Sequence, residues 1–170
     1  IKMLHAVGYK KNISVRRIIN HWGLAREFSR QAPFEHAPDV ILCSLPTLEL
    51  CLEATRYGRK HGVPVVLDVR DLWPDLFVEF APAWCRGSAR RFLEPLFRMV
   101  REACTGAVAI VGVTPEFVAW GLRNAGRAAT VWDRDFPMGY HRIELHREEC
   151  EEALSRWRAR GIMENGFVVC

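Results

Sequence analysis

Three short, largely apolar runs, at residues 40–43, 64–69 and 107–113, constrain this chain more than any other feature of its sequence. Each is too short for a buried helix and too continuous for a half-exposed strand. That is the pattern of strands buried on both faces of a parallel sheet. The stretches that separate them repeat apolar residues at three- and four-residue steps. Strand, helix, strand, helix in this order predicts an α/β fold, a parallel sheet with flanking helices joined by right-handed crossovers.

Local signals place the elements. Val15, Ile18, Ile19, Trp22, Ala25 and Phe28 mark a first helix, with Ser14 placed to cap it and Pro33 to stop it. The turn Ser44-Leu45-Pro46-Thr47 opens a second helix that runs to about His61, and Gly62 takes the C-terminal capping position. A short helix is expected at 75–80, a break at Pro82, and a longer helical segment at 88–104 interrupted or kinked by Pro95. Thr114 is placed to cap the next helix, with Pro115 at its first position, Glu116 near the positive end of its dipole and Gly126 at its close. A loop at 133–140 leads to a polar helix at 143–160, ended by Gly161, and a further strand begins at 167–170. Trp22, Trp84, Trp120 and Trp157 fall on helical faces and are expected to pack there.

A length of 170 residues suits one domain. No apolar run approaches the ~20 residues of a membrane span, so a cytoplasmic protein is expected. The excess of 24 Lys+Arg over 20 Asp+Glu gives +4, scattered rather than gathered into a stripe, and nucleic acid is not an expected partner. The six cysteines, at 43, 51, 85, 104, 150 and 170, contain no C-x2-C pair. Reduced, mostly buried thiols are expected and no metal site. The glycine-rich fingerprints of dinucleotide and phosphate-loop folds are absent as well, so no cofactor is expected.

In an open parallel sheet, ligands bind outside the carboxyl ends of the strands. Three such ends are legible: Cys43-Ser44-Leu45-Pro46, Arg70-Asp71-Leu72-Trp73-Pro74-Asp75 and Thr114-Pro115-Glu116. The catalytic candidates are Arg70, which can hold a phosphate or orient a carboxylate, and Asp71, which can take a proton. The competing reading of the same residues is an Arg70–Asp71 network that only ties the loop down. Ser44, Trp73, Thr114 and Glu116 are the substrate-binding candidates, although Ser44 and Thr114 could instead cap the helices that follow them.

The strings Pro38-Asp39-Val40-Ile41-Leu42-Cys43-Ser44-Leu45-Pro46, Gly62 through Asp75, and Thr114-Pro115-Glu116-Phe117 resemble the amino-terminal domain of family 4 glycosyltransferases. The block Asp68-Val69-Arg70-Asp71-Leu72-Trp73-Pro74-Asp75 is the most specific part and resembles the branch that builds surface polysaccharides. The resemblance implies a GT-B fold, in which two Rossmann-like domains face each other across a cleft. It further implies retaining transfer of a sugar from a nucleotide diphosphate donor to an envelope glycan or lipid-linked acceptor. In that family the acceptor binds mainly to the first domain and the nucleotide sugar mainly to the second. On this basis residues 1–142 are expected to form a truncated, Rossmann-like, acceptor-side domain. Residues 143–170 would be a linking helix and the start of a second domain, and the fragment would be inactive alone. The alternative is a non-catalytic binding or interaction module.

Two expectations concern surfaces. Arg86, Arg90, Arg91, Arg98 and Arg101 alternate with Trp84, Phe92, Leu96, Phe97 and Val100. This segment is either a core-packed helix with a solvated Arg face or a peripheral contact with the inner face of a membrane. The uncharged strand at 40–43 would expose one edge, and a homodimer that buries that edge is expected.

Overall fold

The computed structural model describes residues 3–8, 15–139 and 146–161. The chain divides into two compact units, Ile1–Met138 and Gly139–Cys170. The first is α/β, built from helices α1 (Val15–Gln31), α2 (Leu48–His61), α3 (Asp75–Phe80), α4 (Arg86–Phe92), α5 (Glu94–Gly106) and α6 (Pro115–Ala125), with strands β1 (Ile41–Leu45), β2 (Val65–Val69), β3 (Ala109–Gly112) and β4 (Arg134–Asp135). The strands form one all-parallel sheet in the order β1-β2-β3-β4, an arrangement consistent with a Rossmann-like fold. Register places Leu45 beside Val69, Val69 beside Gly112 and Gly112 beside Asp135, so the carboxyl ends lie side by side on one rim.

The strand order determines where the helices go. Each strand is the neighbour of the one before it, always in the same direction, so right-handed crossovers put α2, α5 and α6 on one face. That layer is continuous: α1 packs on α2, α2 on α5 and α5 on α6. Alternate strand residues point into it, namely Cys43 and Leu45 from β1, Val65, Leu67 and Val69 from β2, and Ile110 from β3. They meet Cys51 and Ala54 of α2, Val100 and Cys104 of α5, and Trp120 of α6. The intervening residues, Leu42, Ser44, Val66, Asp68 and Val111, point to the other face. Among the described residues no helix of this unit covers it.

The helix ends follow local chemistry. Gly62 (φ 70°) and Gly126 (φ 65°) close α2 and α6 in the left-handed conformation that a side chain would strain. Pro115 opens α6, where its missing N–H costs nothing.

Several expectations are corrected. Of the two alternatives for the helical segment at 88–104, interruption is the one observed: α4 and α5 break at Leu93, and Pro95 sits in the first turn of α5. The loop expected at 133–140 contains β4, whose two residues pair with β3. The buried side of α1 is His21 and Ala25 with Phe28 half-buried, whereas Ile18, Ile19 and Trp22 are exposed. Only Trp120 of the four helical tryptophans is buried; Trp22, Trp84 and Trp157 are exposed. Thr114 occupies the N-cap position of α6 without a side-chain cap bond. Cys43, Cys51 and Cys104 are buried free thiols, and burial pushes the Cys104 thiol up to about 12.

The second unit contains α7 (Arg147–Ala159), followed by Gly161 at φ 84°. Ser14, the boundary expected at 142/143 and the strand expected at 167–170 lie outside the described residues.

Candidate functional site

The most polar part of the rim grows from β2. Asp68 and Arg70 are two residues apart on an extended chain, so both project to the helix-free side. The Arg70 Nε donates to Asp68 Oδ2 at 2.5 Å, and from the neighbouring strand Ser44 Oγ donates to the same oxygen at 2.9 Å. Asp68 is buried, and these two donors compensate its charge. The Arg70 side chain is 63% exposed, so its remaining N–H groups face outward from the rim. The result is a fixed guanidinium held by a buried carboxylate, an arrangement suited to binding an anion or a sugar hydroxyl.

The competing reading, an Arg70–Asp71 network, is not the one that forms: Arg70 is paired with Asp68. The Asp71 Oδ1 accepts the Leu72 backbone N–H at 3.0 Å. Nor does Ser44 cap α2, because its hydroxyl is committed to Asp68. Trp73 lies edge-on to Phe77 with ring centres 4.7 Å apart, and the Arg17 guanidinium lies over it at 4.7 Å. Asp75 accepts the Trp120 indole N–H at 2.8 Å and thereby fastens the rim loop to α6. At the third strand end the Thr114 hydroxyl donates to Glu116 Oε2 at 2.6 Å, which holds the Glu116 carboxyl below its ordinary range. Structure therefore joins Ser44 to Arg70 through Asp68 and Thr114 to Glu116. It separates Asp71 from both.

A second polar group near the rim comes from α1 and α2. Glu49, in the first turn of α2, and His21 of α1 are both buried, with His21 Nδ1 3.6 Å from Glu49 Oε2. Arg17 Nε donates to His21 Nε2 at 3.4 Å, so the ring proton belongs on Nδ1, facing Glu49. Burial pushes the Glu49 carboxyl up and the His21 imidazole down. Both shifts favour the neutral forms, as burial of an ionisable pair does.

Asp68, His21 and Glu49 did not emerge from the sequence. Asp68 was within reach: the two-residue period of a strand puts it on the same side as Arg70 and puts Asp71 on the other. His21 sits three residues from Ile18 and four from Ala25, a spacing at which it reads as one more member of an apolar helix face. Among the described residues no group of three His, Cys, Asp or Glu side chains is arranged to hold a metal ion.

No protein-family model matches the chain, and no curated protein is significantly similar to it.

Proposed function

We propose that this chain is an acceptor-side domain of a glycosyltransferase that moves a sugar from a nucleotide diphosphate donor to an envelope glycan or lipid-linked acceptor. One observation carries the reading. The Asp68–Asp75 block, where the resemblance to family 4 glycosyltransferases is most specific, runs from the last two residues of β2 onto the rim where parallel sheets bind ligands. Within it, the Asp68-anchored Arg70 offers a fixed cation to a phosphate or a sugar hydroxyl. Trp73 adds an aromatic surface of the kind sugars pack against, and Ser44 steadies the carboxylate that orients Arg70. Asp71 is left with its local backbone bond and the role of shaping the turn. The donor nucleotide and the catalytic step are assigned by this reading to a second domain.

Calorimetric titration of the chain with short-chain polyprenyl-phosphate sugars and with nucleotide diphosphate sugars, paired with a product assay, tests the proposal. The expected result is acceptor binding that weakens about tenfold in Arg70→Gln, the loss of one charge-assisted hydrogen bond, with no turnover. Sugar transfer by the chain alone would overturn the assignment to the acceptor side. Failure of every polyprenyl-linked sugar to bind would overturn the glycosyltransferase reading itself. The apolar sheet face, which no described helix of this unit covers, favours the other reading, an interaction module.

A further inference from the structure

The helix-free face of the sheet is broadly apolar. Leu42, Val108, Val131, Trp132, Phe136 and Met138 are all exposed there, Leu42 by 67%, Trp132 by 72% and Met138 by 82%. They surround a shallow concavity of about 1010 Å³ whose floor is Val66 and Val111. Parallel sheets are covered on both faces almost without exception, and an apolar patch of this extent exceeds what monomers ordinarily leave in water.

We propose that a second copy of this chain covers the face, the two sheets stacking about a two-fold axis. The inference is independent of the sugar-transfer reading. Three properties of the surface single out a second copy. First, the six side chains together expose an area on the order of the ~800 Å² that each partner of a stable complex buries. Second, an isologous contact needs only that one patch meet itself, and sheets pack face to face at about 10 Å, at which Trp132, Phe136 and Met138 of each copy reach into the other's concavity. Third, the polar groups fit. Asp68 already holds Ser44 and Arg70, so burial leaves its carboxylate paired, and Arg70 lies at the rim where it can stay in water. An axis parallel to the strands and between β2 and β3 stacks β1 on the partner's β4. Arg134, on the helix-free face of β4, then comes to the strand beside the partner's Asp68, while the two Arg134 side chains remain at opposite edges. The dimer expected at the β1 edge is thereby moved to the face that adjoins it.

Sedimentation velocity from low to high micromolar concentration tests this directly. The unaltered chain is expected to sediment as a dimer. Leu42→Arg and Trp132→Glu are each expected to sediment as monomers with unchanged far-UV circular dichroism, because both residues are exposed in the single chain. Met138→Glu, at an exposed loop position, makes the same test should a strand variant unfold. Phe92→Glu, exposed on α4 away from this face, should leave the dimer intact. A monomer at high micromolar concentration overturns the proposal. So does a dimer that persists in Leu42→Arg, Trp132→Glu and Met138→Glu, since its interface would lie elsewhere.

Discussion

Asp133 is the residue on which the last strand depends. Its side chain is fully buried, and its carboxylate accepts from both terminal nitrogens of Arg127 at 2.7 and 2.8 Å. It also takes the backbone N–H of Ile110 at 2.7 Å and both the N–H and hydroxyl of Thr130. One carboxylate thus joins the start of β3, the end of the α6 connection and the approach to β4. The Arg127 hydrogen bonds, against the opposing effect of burial, hold this carboxyl well below the usual Asp range. A folded-state value below the unfolded one gives stabilisation that is fully present above the usual Asp range. It is lost as the pH falls through that range toward the folded-state value, because the unfolded chain takes up the proton first. Asp133→Ala is expected to cost about 3–5 kcal/mol, as removal of one partner from a buried pair does. It should also flatten the loss of stability between about pH 5 and pH 2. Denaturant melts across that pH series measure both effects, and an unchanged acid profile in the variant would show that the clamp contributes little.

The Asp133 clamp also explains what the sequence left illegible at this scale. Gly62 and Gly126 were read correctly because a left-handed helix end is a local requirement, satisfied by one residue type. β4 was not, since two residues have no period and the strand exists through bonds to a carboxylate and to β3. The same distinction separates the two ends of the candidate site. The rim was legible from the succession of strands and helices, but the partner of Arg70 depends on which side of β2 each residue faces.

Among the elements, α1 and α4 differ most from their sequence patterns. Of the expected apolar face of α1, Ala25 is buried and Phe28 half-buried, but Ile18, Ile19 and Trp22 are exposed and His21 takes the buried position beside Ala25. Hydrophobicity alone mislocated the contact because His21 is held by Arg17 and lies close to Glu49, and so can be buried without an unpaired polar atom. The Arg-aromatic segment divides into two elements with different surroundings. Phe97 and Val100 of α5 are core residues, and Arg90 lies over the Phe97 ring at 4.2 Å. The 3-10 turn Ala83–Cys85 and α4, by contrast, leave Trp84 88% and Phe92 85% exposed, beside the exposed Arg86 and Arg91. Exposed aromatics next to arginines suit the headgroup region of an anionic bilayer. Co-sedimentation with anionic liposomes at low salt is expected, lost in the Trp84→Glu, Phe92→Glu double variant and weakened by salt. If the unaltered chain stays in the supernatant at low salt, α4 is a solvated helix and the membrane contact does not exist.

At the scale of the molecule, the decisive feature is a strand order that never reverses. A reversal would send helices to both faces of the sheet. The order β1-β2-β3-β4 sends them to one, so among the described residues of this unit one core lies between the sheet and the layer formed by α1, α2, α5 and α6. The other face contributes to stability only when something covers it. If that cover is a second copy, folding and association are linked, and the melting temperature must depend on chain concentration. Each tenfold increase should raise it by about 2 °C for a chain of this size. Leu42→Arg should abolish the dependence and fix the midpoint at the value the unaltered chain approaches on dilution. Asp133→Ala, which acts within one copy, should lower the midpoint at every concentration and leave the slope unchanged. Scanning calorimetry over two decades of concentration separates these cases. A midpoint that does not move with concentration in the unaltered chain would mean that a single sheet face and a single helical layer suffice for the fold.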